Sequence, residues 1–152
     1  DKSNQDSCFF LPTIFGAFKE YFLNQKGTYF MFSPKSEKSV KVEGVIMACF
    51  LIPRKVIDKI GLLDEGTFLF FEDIEYCRRL KQNNIPIYFC PKAKFIHHHG
   101  ASHKKLKEGE AYNLLVKGSK HYHGTFYYYI LYLVILSGQK FNKLIHSRNN
   151  KI

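Results

Sequence analysis

Apolar residues recur at helical spacing in four segments of the chain. The segments are residues 12–22, 53–60, 72–82 and 110–122. Pro12 and Pro53 suit the first turn of a helix, whereas Gly61 and Asn83 suit the residues at which a helix ends. The pattern therefore predicts four helices, each with one apolar face toward a core.

Apolar runs between the helices predict strands. The run Val40–Ile52 is almost continuously apolar, which is typical of a strand that is buried on both faces. Shorter runs predict a strand at Ile85–Cys90 and another that ends at Ile96, with Pro91 between them. Alternating helices and strands indicate an α/β layer structure. The chain has 152 residues, enough for one domain with a core.

Composition and charge narrow the class of partner. The chain is 45% hydrophobic and 24% charged, which fits a globular protein. A formal net charge of +10 favours phosphate-rich ligands, anionic membrane surfaces or nucleic acid. Most aromatic residues lie inside apolar runs, where burial explains them, and not on a basic groove of the kind that binds single strands. We therefore expect no nucleic-acid partner.

The four cysteines are spaced in a way that matches neither a zinc site nor a dense disulfide framework. They are Cys8, Cys49, Cys77 and Cys90. We expect free, buried thiols in a reducing compartment.

Two adjacent carboxylates, Glu72 and Asp73, open the third predicted helix directly after an aromatic stretch. One interpretation is structural, because acidic residues in a first turn bind free amides and interact favourably with the helix dipole. The other is catalytic: one carboxylate accepts a proton from an attacking hydroxyl group while the aromatic residues exclude water. The helix terminus favours the charged form, so the catalytic interpretation does not require a strongly raised pKa.

Three consecutive histidines, His97, His98 and His99, are a second candidate for chemistry. Successive side chains of an extended segment alternate sides, so the three cannot all bind one ion. One neutral imidazole can bind a divalent metal, but His-rich tracts also occur as ordinary surface residues. The residues alone leave both interpretations open.

These short signals become specific when their order and spacing are taken together. They resemble the second half of the bacterial family 2 glycosyltransferases, in particular the rhamnosyltransferase-like branch, and the resemblance covers nearly the whole chain. The motifs are Glu43-Gly44-Val45, Gly61-Leu62-Leu63-Asp64-Glu65, Phe68-x-Phe70-x-Glu72-Asp73, Cys77-x-Arg79, Pro91 and His97-x-x-Gly100-Ala101-Ser102.

The resemblance implies a fold and a reaction. The fold is the C-terminal part of a GT-A domain, a mixed sheet flanked by helices, followed by a helical tail. The reaction is an inverting transfer of a sugar from a nucleotide-diphosphate donor to a hydroxyl group of a glycan or lipid-linked acceptor. Asp73 matches the catalytic base, Glu72 its companion acid, and His97 a histidine that completes a metal shell.

The same resemblance assigns residues to the acceptor side. Gly44 and Phe70 match positions beside the acceptor, as do Asp64 and Glu65, for which a structural role fits equally well. Arg79 matches a position that pairs with a carboxylate or ties down its helix, and we favour the structural role. The chain departs from the family pattern mainly around this side, so the acceptor is the least specified partner.

Members of the family begin with a nucleotide-binding half that carries an Asp-x-Asp metal motif, and the present sequence holds no Asp-x-Asp. We therefore expect most ligands of a divalent Mg or Mn ion to come from that half, and no transfer by these 152 residues alone. Residues 1–108 would form the acceptor-side unit and residues 109–152 the helical tail. A non-catalytic remnant that acts as a scaffold is the alternative.

Residues 125–137 are apolar and aromatic, and basic residues such as Lys140, Lys143 and Arg148 follow them. The segment is shorter than the roughly 20 residues that a membrane span needs. It fits a helix that packs internally, and equally a helix that lies in the membrane interface with its basic residues on anionic lipid. Because enzymes of this kind often act on lipid-linked glycans, we expect a cytoplasmic protein, peripheral at the inner face of the plasma membrane.

Overall fold

The computed structural model describes residues 4–98 and 106–149, and the side chains of the last helix as far as Leu144. Five helices and four short strands lie within these residues, so the predicted α/β class with a helical C-terminus is confirmed. The helices are α1 Ile14–Phe22, α2 Arg54–Ile60, α3 Glu72–Gln82, α4 Glu110–His123 and α5 Thr125–Asn149. The strands are β1 Cys8–Phe9, β2 Val40–Val42, β3 Gly44–Val45 and β4 Ile87–Phe89.

The four strands of the described part form two antiparallel pairs, β1 with β3 and β2 with β4. The continuous strand predicted at Val40–Ile52 is therefore wrong, because the chain changes its pairing partner at Glu43 and follows an irregular path after Val45. The carboxylate of Glu43 accepts a hydrogen bond of 2.7 Å from the amide of Leu11 and pairs with Lys81, which holds the chain at this bend. A continuous apolar run indicates burial but does not by itself fix the backbone conformation.

The second short strand predicted to end at Ile96 is also wrong. Residues 93–98 form no strand, and the side chains of Phe95 and Ile96 are exposed. Only the first of the two predicted strands forms, as β4. It pairs along its whole length with β2, with Val42 opposite Ile87, whereas the segment after Pro91 has no strand partner among the described residues.

The core consists of two clusters. The larger one packs α3 against the strands, and its most deeply buried side chains are Cys8, Tyr76 and Cys77. The smaller one joins α1 to α5 through Ala17 and Leu131. All four cysteines are free, as predicted. Cys8 and Cys77 are buried, whereas Cys49 and Cys90 are exposed, so the predicted burial is wrong for these two.

A single glycine connects the two C-terminal helices. Gly124 separates α4 from α5 and adopts a φ of 80°, a left-handed conformation that favours glycine. Helix α5 continues well beyond the predicted apolar segment, to Asn149. Among the helices of the described residues, none combines the length and the hydropathy needed to cross a membrane.

Candidate active site

The Gly61–Thr67 turn is joined to α4 through Asp64. Its carboxylate accepts a hydrogen bond of 2.8 Å from the amide of Gly66 and lies 2.8 Å from Nε2 of His121. These two partners hold the pKa of the Asp64 carboxyl below its ordinary value. A side chain at Gly66 would meet the His121 ring, with a Cβ only 2.6 Å from Cε1. The contacts therefore give Asp64 a structural role in docking the turn on α4.

An ion pair with one buried partner fixes one side of helix α3. Glu75 is only 4% exposed, and both of its oxygens accept hydrogen bonds of 2.9 Å from Nε of Arg79. The Arg79 guanidinium also donates to the carbonyl oxygens of Ile60, at 2.7 Å, and Leu62, at 2.8 Å. Arg79 thus fastens the end of α2 and the following turn to α3, in agreement with the structural role that we favoured.

The opposite side of α3 is fixed to α4. Nη1 of Arg78 donates a hydrogen bond of 2.8 Å to the carbonyl oxygen of Tyr122, and the guanidinium lies 4.2 Å from the centre of the Tyr122 ring. Together with Arg79, this contact holds the C-terminal half of α3 between two neighbouring segments. The positions of Glu72 and Asp73 are therefore set by packing as well as by the helix itself.

The two residues before this acidic pair have an unusual backbone conformation. Phe70 and Phe71 both adopt a φ of 70°, in the left-handed region that bulky residues rarely enter. Such residues cost roughly 1–3 kcal/mol each and cluster at active sites. Gly118 of α4 permits the arrangement, because a Cβ there would lie 2.9 Å from the carbonyl oxygen of Phe70. The sequence signals this contact only by a glycine inside a predicted helix.

Glu72 and Asp73 are partly buried at the first turn of α3. Burial, with the adjacent charge of Glu72, raises the pKa of the Asp73 carboxyl from 3.8 to about 6. Burial also raises the pKa of Glu72, and its Oε2 atom finds no hydrogen-bond partner within the part of the chain that is described. The expectation that the helix terminus would keep these groups readily charged is wrong, because loss of solvent outweighs the dipole.

Asp73 also has the structural role that was considered for the pair, because it binds an amide of the first turn. Oδ1 of Asp73 accepts a hydrogen bond of 2.7 Å from the amide of Ile74, one of the free amides of the first turn. Capping alone, however, works equally well at an exposed helix end. It does not account for a carboxyl with a pKa of about 6, close to the value at which a general base works best near neutral pH.

His123, at the end of α4, is a candidate functional residue that the sequence analysis did not identify. Its ring stacks on Tyr127 with centroids 4.9 Å apart and meets the edge of Phe71 at 6.0 Å. Burial, and secondarily the charge of Arg78, lowers its pKa to about 4, so the imidazole is neutral at neutral pH. Nε2 is buried and has no hydrogen-bond partner in residues 4–98 and 106–149. A histidine near the end of a predicted helix gives no sequence signal for this burial.

The predicted metal ligand His97 lies on the surface, away from any cluster of ligands. Its Nδ1 atom is 3.0 Å from Oε1 of Gln5. No group of three or more His, Cys, Asp and Glu side chains within the described ranges could hold a metal ion. The rest of the predicted motif, from His99 through Gly100 to Ser102, lies outside the described residues. The described residues therefore do not form a metal site around His97.

The other predicted acceptor-side residues are dispersed. Gly44 is buried in β3, where a Cβ would collide with the ring of Phe9. Glu65 is exposed on the turn next to Asp64, and the neighbouring Phe68 exposes 82% of its surface. Packing thus explains Gly44, whereas Glu65 is free to contact a ligand.

A groove of about 490 Å³ lies along β2 and β4, and its lining residues do not include Glu72 or Asp73. Its walls are mostly apolar, and its charged side chains are Lys41, Glu43 and Lys81. The Glu43–Lys81 ion pair already neutralises two of these charges. The acidic pair at the start of α3 therefore lies outside this groove.

Comparison with known protein families gives a match. The model of the family described as "Glycosyltransferase like family 2" matches residues 5–110, a stretch that includes the turn, the left-handed pair and the acidic pair. The chain belongs to this family, so the predicted family membership is confirmed.

One similar protein is the low-salt glycan biosynthesis hexosyltransferase Agl10 of Haloferax volcanii, with 35% identity over 65 residues. That match covers 42% of the present chain and 21% of the relative. The chain therefore corresponds to a small part of that relative's length. No solved structure shows significant similarity to the chain.

Proposed function

We propose that this chain carries the general base of an inverting glycosyltransferase, and that Asp73 is this base. The observation that carries the proposal is the Asp73 carboxyl, partly buried and with a pKa of about 6, at the start of a helix that is fixed to both neighbouring segments. Membership of the glycosyltransferase family supplies the class of reaction. The proposal assigns the role of proton acceptor in this reaction to the carboxylate of Asp73.

The proposed step moves one proton and one sugar. Asp73 accepts the proton of an acceptor hydroxyl group while the hydroxyl oxygen forms a bond to the anomeric carbon of the donor sugar. The bond from that carbon to the diphosphate breaks, and its electron pair leaves with the nucleoside diphosphate. Attack from the face opposite the leaving group inverts the anomeric configuration. A base whose pKa lies just below neutral is mostly deprotonated at pH 7 and can still accept a proton in the transition state.

Glu72 has a supporting part in this proposal. Its charge raises the pKa of Asp73, and its unpartnered Oε2 atom is available to a hydroxyl group of a bound sugar. Two of the predicted acceptor residues, Glu65 and Phe70, lie shortly before the acidic pair in the sequence. The exposed Phe68 between them offers a ring on which a sugar can stack. Each of these contacts is part of the proposal.

Several finer statements stay predictions from the motif resemblance. These are the rhamnosyltransferase-like branch, the bacterial origin, the nucleotide-sugar donor, the divalent ion with His97 among its ligands, and the absence of transfer by these residues alone. The scaffold alternative also stays open. Retention of a raised pKa at Asp73 favours the enzyme over a scaffold, since a scaffold gains nothing from a carboxyl that burial makes costly to ionise.

The test compares Asp73→Asn with Asp58→Asn in the full-length gene product. Asp58 is exposed on α2, so its substitution removes one negative charge without touching the site. Release of nucleoside diphosphate from UDP-, GDP- and dTDP-sugars is measured with membrane extract as the acceptor. We expect Asp73→Asn to lower the rate about 100-fold or more, with donor binding by calorimetry unchanged. Wild-type rates in Asp73→Asn would remove Asp73 from the mechanism.

A further inference from the structure

Helix α1 carries apolar residues on two of its sides. One side, with Ala17 and Tyr21, packs on α5 in the smaller core cluster. Phe15, Phe18 and Phe22 recur at the same helical spacing and form a second apolar side. Packing leaves much of this second side exposed, since the exposed fraction is 64% for Phe15 and 41% for Phe18. Helix α1 therefore has an apolar side beyond the one that the core uses.

Helix α5 runs parallel to α1 and continues this aromatic side. Near the starts of the two helices, the amide of Ile14 donates a hydrogen bond of 3.0 Å to the hydroxyl group of Tyr127. Further along both helices, the rings of Phe22 and Phe141 stack with centroids 5.4 Å apart, and Phe141 is exposed. Phe22 also stacks on Phe18, with centroids 5.1 Å apart. These rings form the α1–α5 aromatic face, which consists of Phe15, Phe18, Phe22 and Phe141.

The α1–α5 aromatic face is preformed, because the two helices are in close contact. A Cβ at Gly138 of α5 would collide with the side chain of Tyr21, and Ala17 is completely buried. Small residues at such positions permit a close approach of two helices. A surface whose parts are already fixed loses little conformational freedom when it binds a partner.

Lysine side chains border this face. Nζ of Lys19 lies 4.4 Å from the centre of the Phe15 ring. On α5, the exposed Lys140 lies directly before Phe141 in the sequence, and the exposed Lys143 follows shortly after it. Long lysine side chains can keep their charge in water while the rings next to them enter an apolar phase. The face thus combines exposed aromatic rings with positive charge.

Negative charge is almost absent from both helices. Residues 125–149, which form α5, include no Asp or Glu. Helix α1 includes one acidic residue, Glu20, whose carboxylate accepts hydrogen bonds from the amides of Thr28, at 2.8 Å, and Tyr29, at 3.0 Å. This carboxylate is therefore engaged by the chain that follows α1. The charge pattern of the face matches a partner that is both apolar and anionic.

We propose that the α1–α5 aromatic face binds the surface of an anionic phospholipid bilayer. Its rings enter the headgroup region, the neighbouring lysines contact lipid phosphates, and the axes of α1 and α5 lie along the membrane plane. A bilayer surface offers apolar groups and negative charge across one plane, whereas a second copy of the chain would place lysines against lysines. From the sequence, only the segment 125–137 and the basic residues after it were expected to contact a membrane. In the structure, α1 supplies three of the four rings of the face.

The test measures sedimentation of the full-length gene product with sucrose-loaded vesicles made of equal parts of phosphatidylcholine and phosphatidylglycerol. Phe15→Gln removes the most exposed ring of the face. The control is Phe95→Gln, which makes the same change at an exposed ring outside α1 and α5. We expect Phe15→Gln to weaken vesicle binding roughly tenfold and Phe95→Gln less than about twofold. Circular dichroism verifies that each variant is folded.

A second pair of variants tests the charges. Lys140→Gln combined with Lys143→Gln removes two charges beside Phe141, whereas Lys55→Gln combined with Lys59→Gln removes two exposed charges from α2. We expect the first double variant to weaken vesicle binding roughly tenfold and the second less than about twofold. Vesicles of phosphatidylcholine alone should bind the wild type much more weakly, because they carry no net charge.

Absence of binding to the vesicles that contain phosphatidylglycerol, or equal binding of each variant and its control, would overturn the inference. Two other occupants of the face give distinct results, and both also contradict it. A dimer in sedimentation velocity that Phe15→Gln dissociates, with vesicle binding unchanged, would assign the face to a second copy. A lower free energy of unfolding in Phe15→Gln, with vesicle binding unchanged, would assign it to another part of the gene product. Asp73→Asn should bind vesicles like the wild type, so this test does not depend on the proposed function.

Discussion

Asp73 lies where burial and the adjacent Glu72 both oppose its negative charge, and this has a consequence for stability. Its pKa is 3.8 in an unfolded chain and about 6 in the fold. A carboxyl with a raised pKa destabilises the fold progressively as the pH rises from the unfolded value to the folded one. At about 1.36 kcal/mol per pKa unit, the cost of ionising Asp73 in the fold is about 3 kcal/mol above pH 6.

The prediction is that Asp73→Asn stabilises the protein at neutral pH and not in acid. Urea unfolding should give a free-energy difference between variant and wild type that is close to zero near pH 4 and approaches about 3 kcal/mol by pH 7. Asp58→Asn is the control, because its exposed carboxylate contributes at most about 0.5 kcal/mol at any pH. A difference for Asp73→Asn that does not grow with pH would contradict the burial of its charge.

At the scale of elements, α3 depends on Arg79 more than on its own caps. Substitution of Arg79 by Met leaves the buried Glu75 with only the longer contact to Arg78, at 3.8 Å, and frees the carbonyl oxygens of Ile60 and Leu62. Removing one partner of a buried ion pair costs about 3 kcal/mol or more. We expect a loss of that size in the free energy of unfolding of Arg79→Met, measured by urea denaturation.

Arg54→Met is the matched control, since its ion pair with Asp58 is exposed and contributes at most about 0.5 kcal/mol. Adding Glu75→Gln to Arg79→Met should restore part of the stability, because no charge then remains buried without its main partner. Equal losses in Arg79→Met and Arg54→Met would show that Arg79 does not fasten the turn.

The elements also show which parts of the fold could be predicted. The helical spacing of apolar residues located α1 to α4, because an apolar face repeats every three to four positions. The fifth helix, α5, was indicated only by its apolar and aromatic segment, residues 125–137, and extends to Asn149. The run Val40–Ile52 failed as a strand because its backbone changes partner at Glu43, and an ion pair with Lys81 on α3 is not visible in a local pattern. The segment near Ile96 failed because apolar residues there are exposed.

The candidate site was predictable in part for a similar reason. Glu72 and Asp73 stand out as an acidic pair at a helix start, and the resemblance of motifs selects them. Their burial depends on contacts with α4, including Gly118 beneath Phe70, that lie far away in the sequence. His123 was not identified for the same reason, because its contact with Phe71 joins residues that are far apart in the sequence. Local sequence therefore indicated the reacting groups, whereas tertiary packing determines their pKa values.

At the scale of the whole molecule, α4 supports the site and α5 packs on the opposite cluster. Helix α4 contacts the Gly61–Thr67 turn through His121 and α3 through Tyr122, whereas α5 packs on α1 through Leu131. The exposed side of α5 carries Phe126 and Leu133, and Lys140 is exposed as well. Contact of this side with an anionic membrane stays a prediction, as does the cytoplasmic, peripheral location. Flotation of the full-length gene product with anionic phospholipid vesicles tests the membrane contact.

The pH dependence of sugar transfer tests the central claim, that Asp73 is the general base, most directly. The measurement is kcat/KM of the full-length gene product for a nucleotide-sugar between about pH 5 and pH 8. If Asp73 is the general base, kcat/KM rises about tenfold per pH unit in acid and levels off near pH 6, where Asp73 loses its proton. Glu72→Gln should move this limb to lower pH, because the adjacent negative charge raises the pKa of Asp73. A rate that does not change across the acid range, or a limb that persists in Asp73→Asn, would contradict the account.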